Sequence, residues 1–182
     1  ARFTRIPKRI ANVTGLGYAF SSASSSLLVA TTKALYRAAL RSATSVVFQN
    51  EDDRNLIVSR NTIPENKVFV VNGSGVDTDE FFNSPLEEDK RTVLMVARLL
   101  GQKGVREFAQ AAEALKRSLP DARFLLAGPR GEGPDAISDE ELANWQTTVA
   151  IEYIGDVADV RPLLRRSHLV TLPSCREGVP RS

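Results

Sequence analysis

Apolar residues recur along the chain in short runs and in helically spaced stretches that follow one another in turn. The short, often β-branched runs predict strands at residues 10–13, 45–49, 67–72, 92–97, 123–127, 151–154 and 168–172. The helically spaced stretches predict helices near residues 27–41, 50–60, 105–115 and 138–145, and a last one that follows Asp159. Strands that alternate with helices pair in parallel, in a sheet that is covered on both faces. The pattern therefore predicts the α/β class.

Polar residues mark the points where several of these helices begin. Asn50 offers an N-cap and precedes three acidic residues in the first turn, where the helix dipole favours negative charge. Ser138 and Glu141 have the spacing of a capping box. Asp159 can cap a helix whose third position is Pro162, because a first-turn amide has no acceptor within the helix to lose.

The strand–helix pattern occurs twice, with a polar stretch between the two blocks. Residues 1–76 form the first block, residues 77–91 are interpreted as an interdomain linker, and residues 92–182 form the second block. Ligands of parallel α/β sheets bind at the carboxyl ends of the strands. Candidate catalytic and ligand-binding residues are therefore expected in the loops that follow the strands.

Composition changes this interpretation only by excluding other classes. With 42% hydrophobic and 25% charged residues among its 182, the sequence is typical of a globular protein, not of a disordered or collagen-like one. One cysteine and one histidine are too few for an internal disulfide or a structural zinc site, so no metal is expected. No apolar run is long enough to predict a transmembrane helix.

Familiar nucleotide-binding and nucleophile motifs are missing. The glycine pairs at positions 15/17 and 73/75 lack the third glycine of a dinucleotide fingerprint, and no P-loop sequence is present. These glycines are interpreted as tight turns. Cys175 lies seven positions after His168, an odd spacing that points the two side chains to opposite faces of a regular strand and argues against a catalytic pair. His168 is expected to be a satisfied polar group at a strand end, and Cys175 a partly buried thiol.

Two basic residues follow the predicted strand at residues 92–97. The strand end delivers Arg98, and a glycine-containing turn delivers Lys103 to the start of the next helix. Two cations beside a helix N-terminus favour a diphosphate. The alternative is a pair of ordinary surface residues.

A second candidate site follows the last predicted strand. Gly178 allows the backbone to approach a ligand closely, and Pro180 is suited to begin a helix whose free amides would face an anion. Glu177 would repel a phosphate but can accept hydrogen bonds from hydroxyl groups, as a sugar offers. The alternative for Glu177 is an exposed loop acid paired with a neighbouring arginine.

These segments, taken in their order along the chain, resemble a known family. They are Ala97-Arg98-Leu99, Lys103-Gly104, Leu126-Ala127-Gly128, Ile154-Gly155, Leu172-Pro173-Ser174 and Arg176-Glu177-Gly178-Val179-Pro180. The ordered set resembles the GT-B retaining glycosyltransferases of family 4. Residues 14–18 and 71–82 also resemble the last third of the amino-terminal domain in the bacterial polysaccharide members. The resemblance implies two parallel-sheet, Rossmann-like halves: the end of an amino-terminal domain and most of a donor-binding domain.

The resemblance also implies roles for individual residues. Arg98 and Lys103 would bind the donor diphosphate, and Glu177 would contact the donor sugar hydroxyls, as the catalytic set. The residues implied in donor binding are Gly178 and Val179, with amides that face the sugar and phosphate, and Ile154, Gly155, Asp156 and Val157, in a loop that flanks the base. No cofactor is implied, because the nucleotide sugar, with a UDP-sugar preferred, is a substrate. The implied acceptor is a glycan or a polyprenyl-linked glycan, at the cytoplasmic face of a membrane.

The chain departs from the family pattern at its end. The family motif is Glu-x7-Glu, and its second glutamate would fall three positions beyond Ser182. We therefore expect a truncated enzyme that keeps part of a donor site and by itself turns over poorly or not at all. The rival hypothesis is a non-catalytic module that binds a nucleotide sugar or a polyanion.

Charge is distributed unevenly, which suggests a further partner. Residues 1–50 hold seven basic and no acidic side chains, although the formal charge of the whole chain is only +2. Lys33, Arg37 and Arg41 share one face of a predicted helix, where anionic lipid head groups or a polyprenyl diphosphate could bind. A solvated face is the alternative. Nucleic acid is not expected as a partner, because the basic residues are not interleaved with aromatic ones.

Overall fold

The computed structural model describes residues 6–15, 26–58, 63–73, 75–85, 91–148, 151–175 and 177. The chain divides into two compact units, Ala1–Val76 with Glu177–Arg181 and Asp77–Arg176 with Ser182. The described strands are Ile10–Val13 (β1), Ser45–Phe48 (β2), Val68–Val70 (β3), Thr92–Val96 (β4), Arg123–Ala127 (β5), Ile151–Gly155 (β6) and Leu169–Val170 (β7). The described α-helices are Ser26–Arg41 (α1), Glu51–Val58 (α2), Val105–Lys116 (α3), Asp139–Thr148 (α4) and Arg161–Arg165 (α5).

The first unit contains a parallel three-stranded sheet in the order β1-β2-β3. The central strand is the most buried of the three, and its Val46 and Phe48 are fully buried. Leu40 near the end of α1 and Ile57 near the end of α2 pack into the same cluster. The N-cap predicted at Asn50 is confirmed, since the Asp53 amide donates to the Asn50 side-chain oxygen at 2.7 Å. The apolar central strand thus organises the described core of this unit.

The second unit contains a parallel four-stranded sheet in the order β6-β5-β4-β7. Successive residues of a strand point to opposite faces, so Met95 and Leu94 enter two different clusters. Met95 packs with apolar residues of α3 and α4, and Leu94 packs with Leu163 of α5. Helices therefore cover both faces, and the predicted α/β class is confirmed.

Several predicted boundaries are corrected by the structure. The last strand is only two residues long, because only Leu169 and Val170 pair with β4, at Val93↔Leu169 and Leu94↔Val170. The last helix begins at Arg161 with Val160 as its N-cap, although Asp159 still accepts the Arg161 amide at 3.0 Å. The sequence pattern did not predict the short 3-10 turns at Glu65–Lys67 and Gly101–Lys103.

Residues 77–85, in the stretch interpreted as a linker, belong to the second unit. Within that unit Glu80 lies 3.6 Å from the Arg161 guanidinium, and Arg165 lies over the ring of Phe82 at 5.7 Å. The carboxylate and the ring therefore attach this part of the chain to α5.

Gly128, directly after β5, has no room for a side chain. Its φ is +138°, and a Cβ at this position would lie 2.1 Å from the carbonyl oxygen of Ala97. Gly133, in the same loop, has a φ of +92° but open space around the equivalent position. Substitution of Gly133 therefore tests the effect of an unfavourable φ alone, whereas substitution of Gly128 adds a steric clash to it.

We expect Gly128→Ala to lower the free energy of unfolding of the second unit by about 2–4 kcal/mol, since it adds a clash to an unfavourable φ. Gly133→Ala should cost only about 1–2 kcal/mol, from φ alone. Urea unfolding followed by the fluorescence of Trp145, the single tryptophan, reports on this unit because Trp145 packs against its core. Equal costs for the two substitutions would contradict the steric account.

Candidate functional site

The candidate site lies at the carboxyl edge of the second sheet. Strand β4 is paired on one side with β5 and on the other with β7. The loop after β4 therefore has the loops after β5 and β7 as its neighbours. It continues through the 3-10 turn Gly101–Lys103 into α3.

The loop after β4 carries the two predicted cations. Arg98 is exposed, and Lys103 is half-buried at the last position of the 3-10 turn. Gly104 follows in the left-handed conformation, with a φ of 79°, and is the N-cap of α3. A Cβ at Gly104 would lie 2.2 Å from the carbonyl oxygen of Pro173, so glycine is needed for this close approach. One short loop thus brings both cations to the start of a 12-residue helix.

The main chain of this loop is bound from both sides at Gln102. The Gln102 amide donates to Oδ2 of Asp135, in the loop after β5, at 2.7 Å. The Gln102 carbonyl accepts the Cys175 amide, in the loop after β7, at 3.0 Å. Ser174 adds a longer hydrogen bond from its hydroxyl to the Lys103 carbonyl, at 3.4 Å. The backbone next to Lys103 is therefore held by both neighbouring loops.

A charged network supports the loop from α3 and α4. Arg106 donates to both carboxylate oxygens of Glu141, at 2.7 and 3.2 Å, and lies 3.8 Å from Asp135. The predicted capping box is confirmed, since the Glu141 amide donates to Ser138 Oγ and the Ser138 amide donates to Glu141. The Arg106 guanidinium, with help from the Ser138 amide, lowers the pKa of Glu141 to about 2. The same pairing raises the pKa of Arg106.

The loop predicted to flank a nucleotide base lies at the carboxyl end of β6. Gly155 has a φ of +89°, and its carbonyl accepts the Gly128 amide at 2.8 Å. Ile154 and Asp156 are exposed, whereas Val157 packs against the cluster that contains Leu94. The loop is thus anchored to the loop after β5. Its role towards a base stays a prediction.

The remaining predicted site residues lie elsewhere. Glu177 is half-buried and falls within the first compact unit, and its convergence with Arg98 and Lys103 stays a prediction. Gly178 and Val179 lie outside the described residues. The basic residues of α1 differ in exposure: Arg37 and Arg41 are exposed, and Lys33 is half-buried. These three side chains are a candidate surface on the first unit.

The structure also tests the predictions made for His168 and Cys175. Nδ1 of His168 accepts the Thr92 amide at 3.3 Å, so its prediction as a satisfied polar group is confirmed. The prediction of a partly buried thiol at Cys175 is wrong, because this residue is exposed. Its contact with the loop after β4 is made by its backbone amide, which leaves the side chain outside the packing.

Sequence reasoning missed the supporting residues Asp135 and Arg106. Asp135 follows Gly133 and Pro134, a combination that indicates only a turn. Arg106 stands three residues after Lys103, and Glu141 is at the N3 position of a capping box, so both have simple local explanations. Asp135 and Arg106 come together only when the loop after β5 packs against the loop after β4. Within the described ranges, the structure contains no group of three or more potential metal ligands and no helix long and apolar enough to span a membrane.

Comparison with known structures identifies the class of fold to which this chain belongs. The chain has a TM-score of 0.68 to the crystal structure of Anabaena Alr3699/HepE in complex with UDP and glucose, at 17% identity, covering 94% of this chain and 47% of that one. Its TM-score to WaaG, a glycosyltransferase involved in lipopolysaccharide biosynthesis, is 0.69 at 14% identity, covering 93% and 51%. The fold is that of GT-B glycosyltransferases, as predicted.

The family model "Glycosyl transferases group 1" matches residues 90–182, and the chain belongs to this family. The chain is also 33% identical, over 99% of its length, to an N,N'-diacetylbacillosaminyl-diphospho-undecaprenol alpha-1,3-N-acetylgalactosaminyltransferase of Campylobacter jejuni. It spans 50% of the length of that curated relative.

The depressed pKa of Glu141 predicts a specific acid dependence of stability. Ionised Glu141 favours the folded state, so its contribution is full above its ordinary pKa of 4.5 and is lost as the pH falls towards about 2. Glu141→Gln should remove about 1 kcal/mol of stability at pH 7, since the pair is partly open to water. The difference from the unsubstituted protein should shrink between pH 4.5 and 2, in urea titrations followed by Trp145.

Asp139→Asn is the matched control, because it removes an ion pair of the same helix at a side chain that is 91% exposed. We expect it to leave the free energy of unfolding close to that of the unsubstituted protein throughout this pH range. A constant difference between Glu141→Gln and the unsubstituted protein down to pH 2 would rule out the proposed role of the carboxylate charge.

Proposed function

We propose that the protein to which this chain belongs transfers a sugar from a nucleotide-sugar donor to a lipid-linked glycan. The observation that carries the proposal is the loop after β4, which presents Arg98 and Lys103 at the start of α3. Family membership supports the reaction class, because residues 90–182 match the group 1 glycosyl transferases. The proposed substrate site is the carboxyl edge of the second sheet.

The reaction requires stabilisation of a leaving nucleotide diphosphate. Negative charge grows on the diphosphate as the bond to the anomeric carbon breaks, and fixed cations lower the energy of that state. Arg98 can bind phosphate oxygens in bidentate fashion, and Lys103 adds a point charge. First-turn amides of α3 can add hydrogen bonds. These groups supply the stabilisation without a metal ion.

The remaining steps follow the family resemblance. By this resemblance Glu177 would accept hydrogen bonds from donor sugar hydroxyls, and the amides of Gly178 and Val179 would face the sugar and phosphate. An acceptor hydroxyl forms the new bond to the anomeric carbon on the face that the diphosphate leaves, and its proton passes to the leaving phosphate. The sugar then keeps its anomeric configuration, as in a retaining transferase.

We propose UDP as the nucleotide of the donor. A structural neighbour of this chain was crystallised with UDP and glucose, which supports a uridine nucleotide for this fold. The residues proposed to flank the base are Ile154, Gly155, Asp156 and Val157. Exposure of Ile154 and Asp156 at the carboxyl end of β6 leaves them accessible to a ligand.

We propose a polyprenyl-diphosphate-linked acceptor, at the cytoplasmic face of a membrane. The curated relative is named for a diphospho-undecaprenol acceptor, which supports this class. Helix α1 carries the exposed Arg37 and Arg41 and no acidic residue, and its Leu27 and Leu35 are 73% and 71% exposed. A helix with basic but no acidic side chains suits an anionic membrane surface, and exposed leucines can add apolar contacts with lipid.

We expect Arg98→Ala or Lys103→Ala, made in the intact protein, to lower kcat by about 10²–10³-fold, because charge stabilisation is lost in the transition state. Sugar transfer to a polyprenyl-linked glycan from a radiolabelled UDP-sugar is the measurement. Arg117→Ala is the control, since this exposed arginine follows α3 at its far end. Near-normal turnover in both variants would remove these cations from the site. Donor binding without transfer in the unsubstituted protein would favour the non-catalytic module.

Charge removal on α1 should weaken membrane binding. Each basic residue near an anionic surface contributes about 1 kcal/mol, so Arg37→Gln with Arg41→Gln should lower the affinity for vesicles with anionic lipid at least about tenfold. Co-sedimentation with phosphatidylglycerol and with phosphatidylcholine vesicles, at low and high salt, measures the effect. Arg54→Gln, a charge removal on α2, should have little effect. Equal binding to both vesicle types would exclude an electrostatic surface on α1.

A further inference from the structure

Asp135 is joined to the cation-bearing loop by two consecutive hydrogen bonds. Its backbone carbonyl accepts the Gly101 amide at 2.8 Å, and its side chain accepts the Gln102 amide at 2.7 Å. These two amides open the 3-10 turn that ends at Lys103. The N-cap of that turn, Leu100, makes no side-chain capping bond. Asp135 therefore caps the turn from 33 residues away in the sequence.

The carboxylate of Asp135 is itself fixed in orientation. One oxygen accepts the Gln102 amide, and the other lies 3.8 Å from Arg106, which Glu141 holds at 2.7 Å. The space around it is closed by Gly101. A Cβ at Gly101 would lie 2.3 Å from the Arg106 guanidinium and 2.4 Å from the Asp135 carboxylate. A methyl group at Gly101 would therefore have to displace the ends of both side chains.

On this geometry, and resting on the proposed function, we propose that Asp135 is a positioning residue for recognition of the donor diphosphate. Asp135 acts through the Gln102 amide: it fixes the turn, and the turn fixes Lys103 and the direction in which α3 begins. A carboxylate would itself repel a phosphate, so the contribution is made through the backbone. Displacement of a binding group by about 1 Å can cost about 10²-fold in rate, so a fixed turn matters to function.

A residue that only stabilises the fold is distinguishable from a positioning residue. Loss of a residue that only stabilises the fold lowers the stability of the unit and affects every ligand in the same way. Loss of a positioning residue affects only ligands that carry the diphosphate. Comparison of UDP with uridine separates these effects, because uridine lacks the group that Arg98 and Lys103 are proposed to bind.

The test is isothermal titration of the intact protein with UDP and with uridine. We expect Asp135→Ala to weaken UDP binding at least about tenfold and to leave uridine binding within about twofold. Asp135→Asn keeps an oxygen that accepts the Gln102 amide, so it should restore UDP affinity to within about threefold of the unsubstituted protein. Gly101→Ala, whose Cβ must displace the ends of the Arg106 and Asp135 side chains, should weaken UDP binding in the same direction as Asp135→Ala. It also serves as the second variant where Asp135→Ala does not fold.

Asp139→Ala is the matched control, because it removes an ion pair with Arg130 near the same loop without touching the turn. Equal losses for UDP and uridine in both Asp135→Ala and Gly101→Ala, or no loss in either, would overturn the proposal. An unsubstituted protein that binds UDP no better than uridine would instead contradict the proposed function. The two failures are therefore distinguishable.

Discussion

The main chain of Gln102 is bound on both sides, and the candidate site depends on that arrangement. Its amide is held from the loop after β5 and its carbonyl from the loop after β7. Both contacts exist only because β4 lies between β5 and β7 in the sheet. Strand order, which is set by apolar burial, thus determines where the exposed Arg98 and the half-buried Lys103 are presented. The packing of the core therefore also determines the position of the candidate site.

The sequence predicted those parts of the fold that depend on neighbouring residues. The apolar run at β5 and the capping box of Ser138 and Glu141 are local signals, and the structure bears out both. Arg98 and Lys103 were found because a loop after a buried strand is where ligands of α/β sheets bind. Their association with a diphosphate stays a hypothesis, which the resemblance supports and the fold accommodates.

The role of Asp135 could not be predicted, for a physical reason. A carboxylate that caps a turn 33 residues away leaves no periodic or motif signal, since the spacing depends on the intervening strand and helix. Cys175 shows the same limit in another form. Its surroundings suggested a half-buried thiol, but whether a residue after an edge strand is covered depends on which neighbouring elements pack there.

Gly104 and Gly128 carry a consequence for how such a protein can diversify. Each lies so close to a carbonyl of an adjacent loop, Pro173 for Gly104 and Ala97 for Gly128, that any side chain would displace backbone. Replacement of either glycine is therefore unfavourable, whichever substrate is used. Ile154 and Asp156, which are proposed to flank the base, are exposed positions. A change in specificity would therefore replace exposed residues and leave Gly104 and Gly128 unchanged.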